Sequence, residues 1–204
     1  MSDFTRRRFA GRLLAGLAAV PALTLLPGPA LALSAASAQG LVDKVVAEIN
    51  SIIASGGSEG QMIAGFETLF QRYADRPYIA AYALGADARR ASPAQKAAFS
   101  DAFGTYLTAK YGRRFREFIG GQVSVTGARA VKNWIEVASV VQLRGEAPFS
   151  VTFFVSDRAG RELFFNIEIE GVSLLLSERE EIGAMLDRNR GDIDALIAQL
   201  RQLG

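Results

Sequence analysis

The stretch "IGGQVSVTGARAVKNWIEVASVVQL", Ile119 to Leu143, contains the change of period that decides the fold class. Upstream of it, apolar residues recur at helical spacing; from Gly121 onward they alternate with polar ones, as in half-buried strands. Val123 and Val125 begin the alternation, and Ile135, Val137, Val141 and Leu143 continue it. Phe149, Val151, Phe153 and Val155 form a third run, and Leu163, Phe165, Ile167 and Ile169 a fourth. Short turns such as "SDRAGRE" join them, which predicts an antiparallel meander with one apolar face. The fourth strand is expected to continue through Val172 to Leu176.

Working outward toward the N-terminus, Leu41, Val42, Val45, Val46, Ile49, Ile52 and Ile53 place one amphipathic helix over Ala38 to Ala54, stopped by "SGGSEG". A second helix is expected over Gln61 to Tyr73, with Met62, Phe66, Leu69, Phe70 and Tyr73 on one side. Asp75-Arg76-Pro77 breaks it, and a short helix follows from Tyr78 to Leu84. Ser92-Pro93 then supplies an N-cap and a first-turn proline for the longest helix. Along it Phe99, Phe103, Leu107, Tyr111, Phe115 and Ile119 fall at four-residue steps, and Gly120-Gly121 closes it. On the C-terminal side, Ser177-Glu178-Arg179-Glu180 has the form of a capping box, so a helix is expected to start at Ser177. Asn189 to Asp192 interrupts that helix, and Asp192 caps a last one over Ile193 to Leu203. Helices, then sheet, then helices make an α+β fold, with the helices gathered on one face of a curved antiparallel sheet.

Residues 1–38 have the three parts of a secretory signal: a basic start, an apolar core from Leu13 to Leu26, and small residues at candidate cleavage sites. The apolar core is short of the roughly 20 residues that span a bilayer as a helix. "TRRRF", Thr5 to Phe9, resembles the twin-arginine signal of proteins exported already folded. Ala30-Leu31-Ala32 and Ala36-Ser37-Ala38 both suit cleavage, and a helix starting at Ala38 favours the second. The chain therefore divides into an export signal, 1–38, and one domain, 39–204, expected to work in the periplasm.

Composition excludes much of enzyme chemistry. The 204 residues include no Cys and no His, so no disulfide or thiolate metal site is available, nor is the commonest acid/base and metal ligand. The net charge of +2 belongs to the signal: without its four Arg and one Asp, 19 basic and 20 acidic side chains remain, a net −1. That balance, with aromatics at core spacing, argues against a nucleic-acid partner. No cofactor is expected.

"IEGVSLLLSERE" followed by "DIDALIAQLRQ" resembles the C-terminal signature of the MlaC family of periplasmic lipid-shuttle proteins, and "YALGADARRASPAQKAAFSDAFGTYLTAKYGRRF" resembles an upstream block of the same family. The likeness runs from about Leu41 to Leu203. Where the family has an Asp this chain has Asn166, the preceding aromatic is Phe165, a usual Trp before it is missing, and the helix-start Tyr is Glu178. The resemblance implies an NTF2-like sheet wrapped by helices around an apolar cavity that takes phospholipid acyl tails. It also implies shuttling between an outer-membrane lipoprotein complex and an inner-membrane ABC transporter with a substrate-binding ring, without catalysis. On that reading the cavity wall is Val137, Val141, Val151, Phe153, Phe165 and Ile167 from the sheet, with Phe66, Phe70, Phe99, Phe103 and Leu107 from the helices. Eleven of the 13 Phe lie after the signal, more bulk than a tightly filled core of this size asks for. By itself, a helical apolar stripe is ordinary packing.

The basic run "RRFRE" supplies Arg113, Arg114 and Arg116 as candidates to meet an anionic headgroup or an acidic partner surface, against the plain reading of a solvated face. A polycyclic lipid such as a hopanoid is an alternative cargo. An enzyme on the same scaffold would draw on Glu168 and Glu170, whose i, i+2 spacing on one strand puts the carboxylates about 7 Å apart. The plain reading of that pair is the solvated outer face of a half-buried strand, with Asn166 beside them. Trp134 fits pocket wall, rim or core equally well.

Overall fold

The computed structural model describes residues 33–113, 119 and 121–204; Phe115, Phe118, Arg114, Arg116 and residues 1–32, with the basic start and apolar core of the expected signal, lie outside them. The first helix, α1 (Ala35–Ala54), begins three residues before the sequence reading. Ser34 and Ser37 form a reciprocal capping box at its start, and Ala38 is fully buried one turn on. The helix-start argument for cleavage after Ala38 therefore fails, because that cut removes the cap and the first turn.

Helix α2 (Glu59–Tyr73) starts at a second box, Ser58 with Gln61, and α3 (Arg76–Leu84) is capped by Asp75, whose carboxylate accepts from the Tyr78 amide. A 3-10 turn (Gly85–Arg89) leads to α4 (Pro93–Gly112), capped by Ser92 and Gln95 with Pro93 in its first turn, where a missing N–H is harmless. Gly112 is required by packing: a Cβ there would lie 2.8 Å from Ile63 Cγ1 of α2. α1 and α4 are the same length, 20 residues each.

The sheet is an antiparallel meander in the order β1 to β5, formed by β1 (Gln122–Val131), β2 (Trp134–Gln142), β3 (Phe149–Ser156), β4 (Leu163–Ile169) and β5 (Val172–Ser173). The last hairpin corrects the expectation of one long strand. Glu170 and Gly171 both have positive φ, 51° and 78°, the two-residue turn whose twist matches flanking strands, so the chain reverses and Val172 pairs with Ile169. Helix α5 (Leu174–Arg188) follows at once, capped by Ser173 and not by Ser177. The reason is tertiary: Asn166 of β4 accepts the Leu175 amide at 3.1 Å, satisfying a second first-turn donor, while the Ser177 hydroxyl donates to the Ser173 carbonyl inside the helix. Helix α6 (Ile193–Leu203) starts at Asp192 as the sequence indicates.

Helix α1 packs across β1 and β2, while α3 and α5 meet β4, and α4 is held among α2, α3 and α6. The pairing of β3 with β4 shifts register between Phe154 and Val155, so that Phe154 opposes Asn166 but Val155 opposes Phe164, leaving Phe165 as the extra residue. The junction of α2 and α3 pins this bulge, because the Asp75 amide donates to the Phe164 carbonyl at 2.8 Å. The consequence is a change of facing: the Phe164 ring meets Phe70 and Phe153, whereas the Phe165 ring meets Tyr78, Trp134 and Phe154 edge-on.

Candidate functional site

Between the sheet and helices α1, α2, α4 and α5 lies a cavity of about 440 Å³, within the range of small-molecule sites. Its wall is overwhelmingly apolar. β1 to β4 contribute Val123, Val141, Val151, Phe153, Phe164 and Ile167; the helices contribute Val45, Phe66, Leu69, Phe70, Leu107 and Leu175. Half-buried Phe149, Ile169 and Leu174 also line it, together with exposed Glu146 from the loop between β2 and β3.

Polar groups in the wall are few, and most are already engaged. Thr108 donates back to the Gly104 and Thr105 carbonyls, and Asn166 accepts from Ser173 and Leu175. Asn166 is thus a half-buried cavity residue and not part of a solvated outer face. The remaining group is Glu178, only 3 % exposed, on the first turns of α5. Lys110 donates to its Oε1 at 2.7 Å, and Tyr111 donates to the same oxygen. Lys110 also reaches Glu181, which accepts from Tyr106 at 2.6 Å. The other oxygen of Glu178, Oε2, is buried without a partner.

This cluster clamps α4 to α5. Burial works to lower the Lys110 pKa, but the hydrogen bonds to Glu178 and Glu181 outweigh it and hold the ammonium above its ordinary value. Burial works to raise that of Glu181, and the contacts with Lys110 and Tyr106 reverse it. Tyr106 is pushed up to about 12, chiefly by burial and then by Glu181; Tyr111 rises through burial and then Glu178.

Of the wall residues expected from sequence, Phe66, Phe70, Leu107, Val141, Val151, Phe153, Phe165 and Ile167 do border the cavity. Phe99, Phe103 and Val137 do not. Phe99 and Phe103 stack on each other with ring centroids 5.3 Å apart, in the layer of α4 that packs on other helices, and Val137 is fully buried. Only the last two turns of α4 reach the cavity, so one aromatic stripe serves two environments. Trp134 is half-buried against Phe165 and is not a wall residue.

Arg113 is the exposed C-cap of α4 and donates to the Leu203 carbonyl at 3.4 Å, away from the wall. Arg90 is occupied by Asp87 and by the Gly191 carbonyl. The carboxylate pair considered for catalysis does not lie on one strand. Glu168 is on β4 with its pKa raised by partial burial and then by Glu136, whereas Glu170 sits in the turn and is lowered by the Ser150 amide. Neither borders the cavity.

Sequence reasoning missed Phe164, because alternation chose its neighbour, and Glu178, because it was read as the second position of a capping box. Glu178 did carry a signal: with Leu175, Ile182 and Met185 it falls on the apolar stripe of α5.

A family model described as "MlaC protein" matches residues 39–202. Among solved structures, a phospholipid-binding protein from Ralstonia solanacearum, determined in complex with a phospholipid, superposes with a TM-score of 0.70 at 21 % identity, over 81 % of this chain and 96 % of that one.

Proposed function

The chain belongs to the MlaC family, and on that premise we propose that it is a periplasmic carrier that shelters the acyl tails of one phospholipid and moves it between membrane complexes. The observation that carries this reading is the apolar cavity of about 440 Å³ left open between the sheet and the helices. An unfilled apolar space forfeits dispersion contacts on its lining, so a domain that keeps one is suited to an occupant. An acyl tail supplies that occupant, gaining about 0.8 kcal/mol for each CH₂ withdrawn from water. The phospholipid held by the Ralstonia solanacearum protein supports the same class of ligand.

The partners in this reading are an outer-membrane lipoprotein complex and an inner-membrane ABC transporter with its substrate-binding ring. The twin-arginine-like leader supports export to the compartment between them. Catalysis has no support from the site: Glu168 and Glu170 lie off the cavity, and the wall is built to exclude water. A protein-binding adaptor is disfavoured by the open space itself, because an adaptor has no use for a void.

Native mass spectrometry of the processed protein, purified from periplasm without detergent, tests the proposal. A one-to-one adduct of phospholipid mass is expected, and a polycyclic mass would replace the cargo but keep the carrier. Lipid-free protein that takes up nothing from phospholipid vesicles would overturn the reading.

A further inference from the structure

Glu178 has no role in holding acyl tails. A carboxylate set into an apolar wall is costly to bury, and the structure meets only half of its needs: Oε1 takes Lys110 and Tyr111, and Oε2 takes nothing. An acceptor withdrawn from water without a donor carries its full desolvation penalty, about 1–3 kcal/mol and more when charged. Its buried neighbours on α5 are apolar. Leu175 and Ile182, one turn before and one turn after, are buried and apolar, so a Leu or Met at 178 would continue the stripe. Two neighbouring donors are engaged elsewhere or on the other oxygen: Tyr106 donates to Glu181, and Lys110 bridges the two glutamates through Glu178 Oε1.

From this we infer that Glu178 is a specificity-determining residue of the cavity, and that the preferred lipid brings an N–H or O–H donor to its unpartnered oxygen. The inference rests on the carrier reading and adds to it a choice among lipids. Two sources supply that chemistry: the primary ammonium of a headgroup drawn into the cavity, or a hydroxyl on an otherwise apolar chain. Each gives the same charge-assisted hydrogen bond in a dry site, where such bonds are strongest.

The test is a competition read by native mass spectrometry. In one arm the purified protein is mixed with vesicles of equal parts phosphatidylethanolamine and phosphatidylcholine with identical chains, which differ in whether the headgroup nitrogen carries hydrogens. In the other arm it meets equal parts of a hydroxylated fatty acid and its unhydroxylated parent. The wild-type protein is expected to enrich the donor-bearing lipid about tenfold to a hundredfold in one arm, the factor that a hydrogen bond to a charged group provides; the arm identifies the source. Glu178→Met is expected to lose the preference in the lipid that it binds. Glu178→Gln, which can turn an amide N–H toward the same place, is expected to lose or reverse it.

Lipid bound without preference in both arms overturns this inference and leaves the carrier reading standing. A preference that survives in both variants overturns it equally, since the acceptor must then be another group. Wild-type protein that takes lipid in neither arm overturns the carrier reading and this inference together. The wild-type comparison needs no substituted protein, so a variant that fails to fold does not remove the test.

Discussion

Replacing Lys110 by Met removes the cation from the clamp between α4 and α5 while keeping the stem that fills the same space. Glu178 is then a 3 % exposed carboxylate whose only remaining donor is Tyr111. Breaking a buried pair by removing one partner costs roughly 3–5 kcal/mol, because the other charge stays buried and uncompensated. Lys110 itself is 31 % exposed at its side chain, so water screens part of that loss and the lower end, about 3 kcal/mol, is expected. The half-buried partner Glu181, with 40 % of its side chain exposed, adds less. For a domain of this size, about 3 kcal/mol lowers Tm by roughly 6–12 °C. The informative comparison is a double-mutant cycle with Glu178→Met, followed by urea denaturation. Glu178→Met alone leaves Lys110 paired with Glu181 and strands only the Tyr111 hydroxyl, at about 1–2 kcal/mol. The double variant should cost about the same 1–2 kcal/mol, well short of the sum, which gives a coupling of about 3 kcal/mol. Additive losses, or a Lys110→Met variant within about 1 kcal/mol of wild type, would refute the account of Glu178 as a buried charge held by Lys110.

The clamp also sets a pH window. The folded pKa of Glu181 is depressed, so its contribution is present above the unfolded value near 4.3 and fades as pH falls through the folded one; the fall in stability from neutral to acid pH should be larger in the wild-type protein than in Glu181→Gln. Lys110, Tyr106 and Tyr111 all have raised values, so above about pH 10 the folded chain binds more protons than the unfolded one and stability falls as pH rises. Urea midpoints between pH 9 and 11 should therefore drop less steeply in Lys110→Met with Tyr111→Phe, and an unchanged slope would contradict the assignment. Gly112→Ala should cost about 1–3 kcal/mol, because its Cβ would meet Ile63 at 2.8 Å, and thermal melting reads it directly. The intact mass of the exported protein should show Leu33 as the first residue, preserving the Ser34 cap; a start at Gln39 would mean that the first turn of α1 is dispensable.

How much of this was legible in sequence follows from the range of the interactions involved. Local chemistry placed the caps at Ser92 and Asp192 and the switch from helix to meander at Gly121, because capping and alternation act over a few residues. Resemblance supplied the family. The start of α5 was misread because its decisive partner, Asn166, lies in another strand, and local pattern favours Ser177 as long as that contact is unknown. Phe164 was passed over for a similar reason: strict alternation has no place for a bulge, and this one is fixed by a hydrogen bond from Asp75, about ninety residues away in the chain. The aromatic stripe of α4 was visible in full, yet nothing in it says that Phe99 and Phe103 face helices while Leu107 and Tyr111 face a void. Sequence by itself determined which residues are apolar and at what period they recur, since that is a property of neighbours along the chain. Only the tertiary structure decided which of those apolar faces meet and which are held apart, and so where the cavity lies and that a carboxylate stands in its wall.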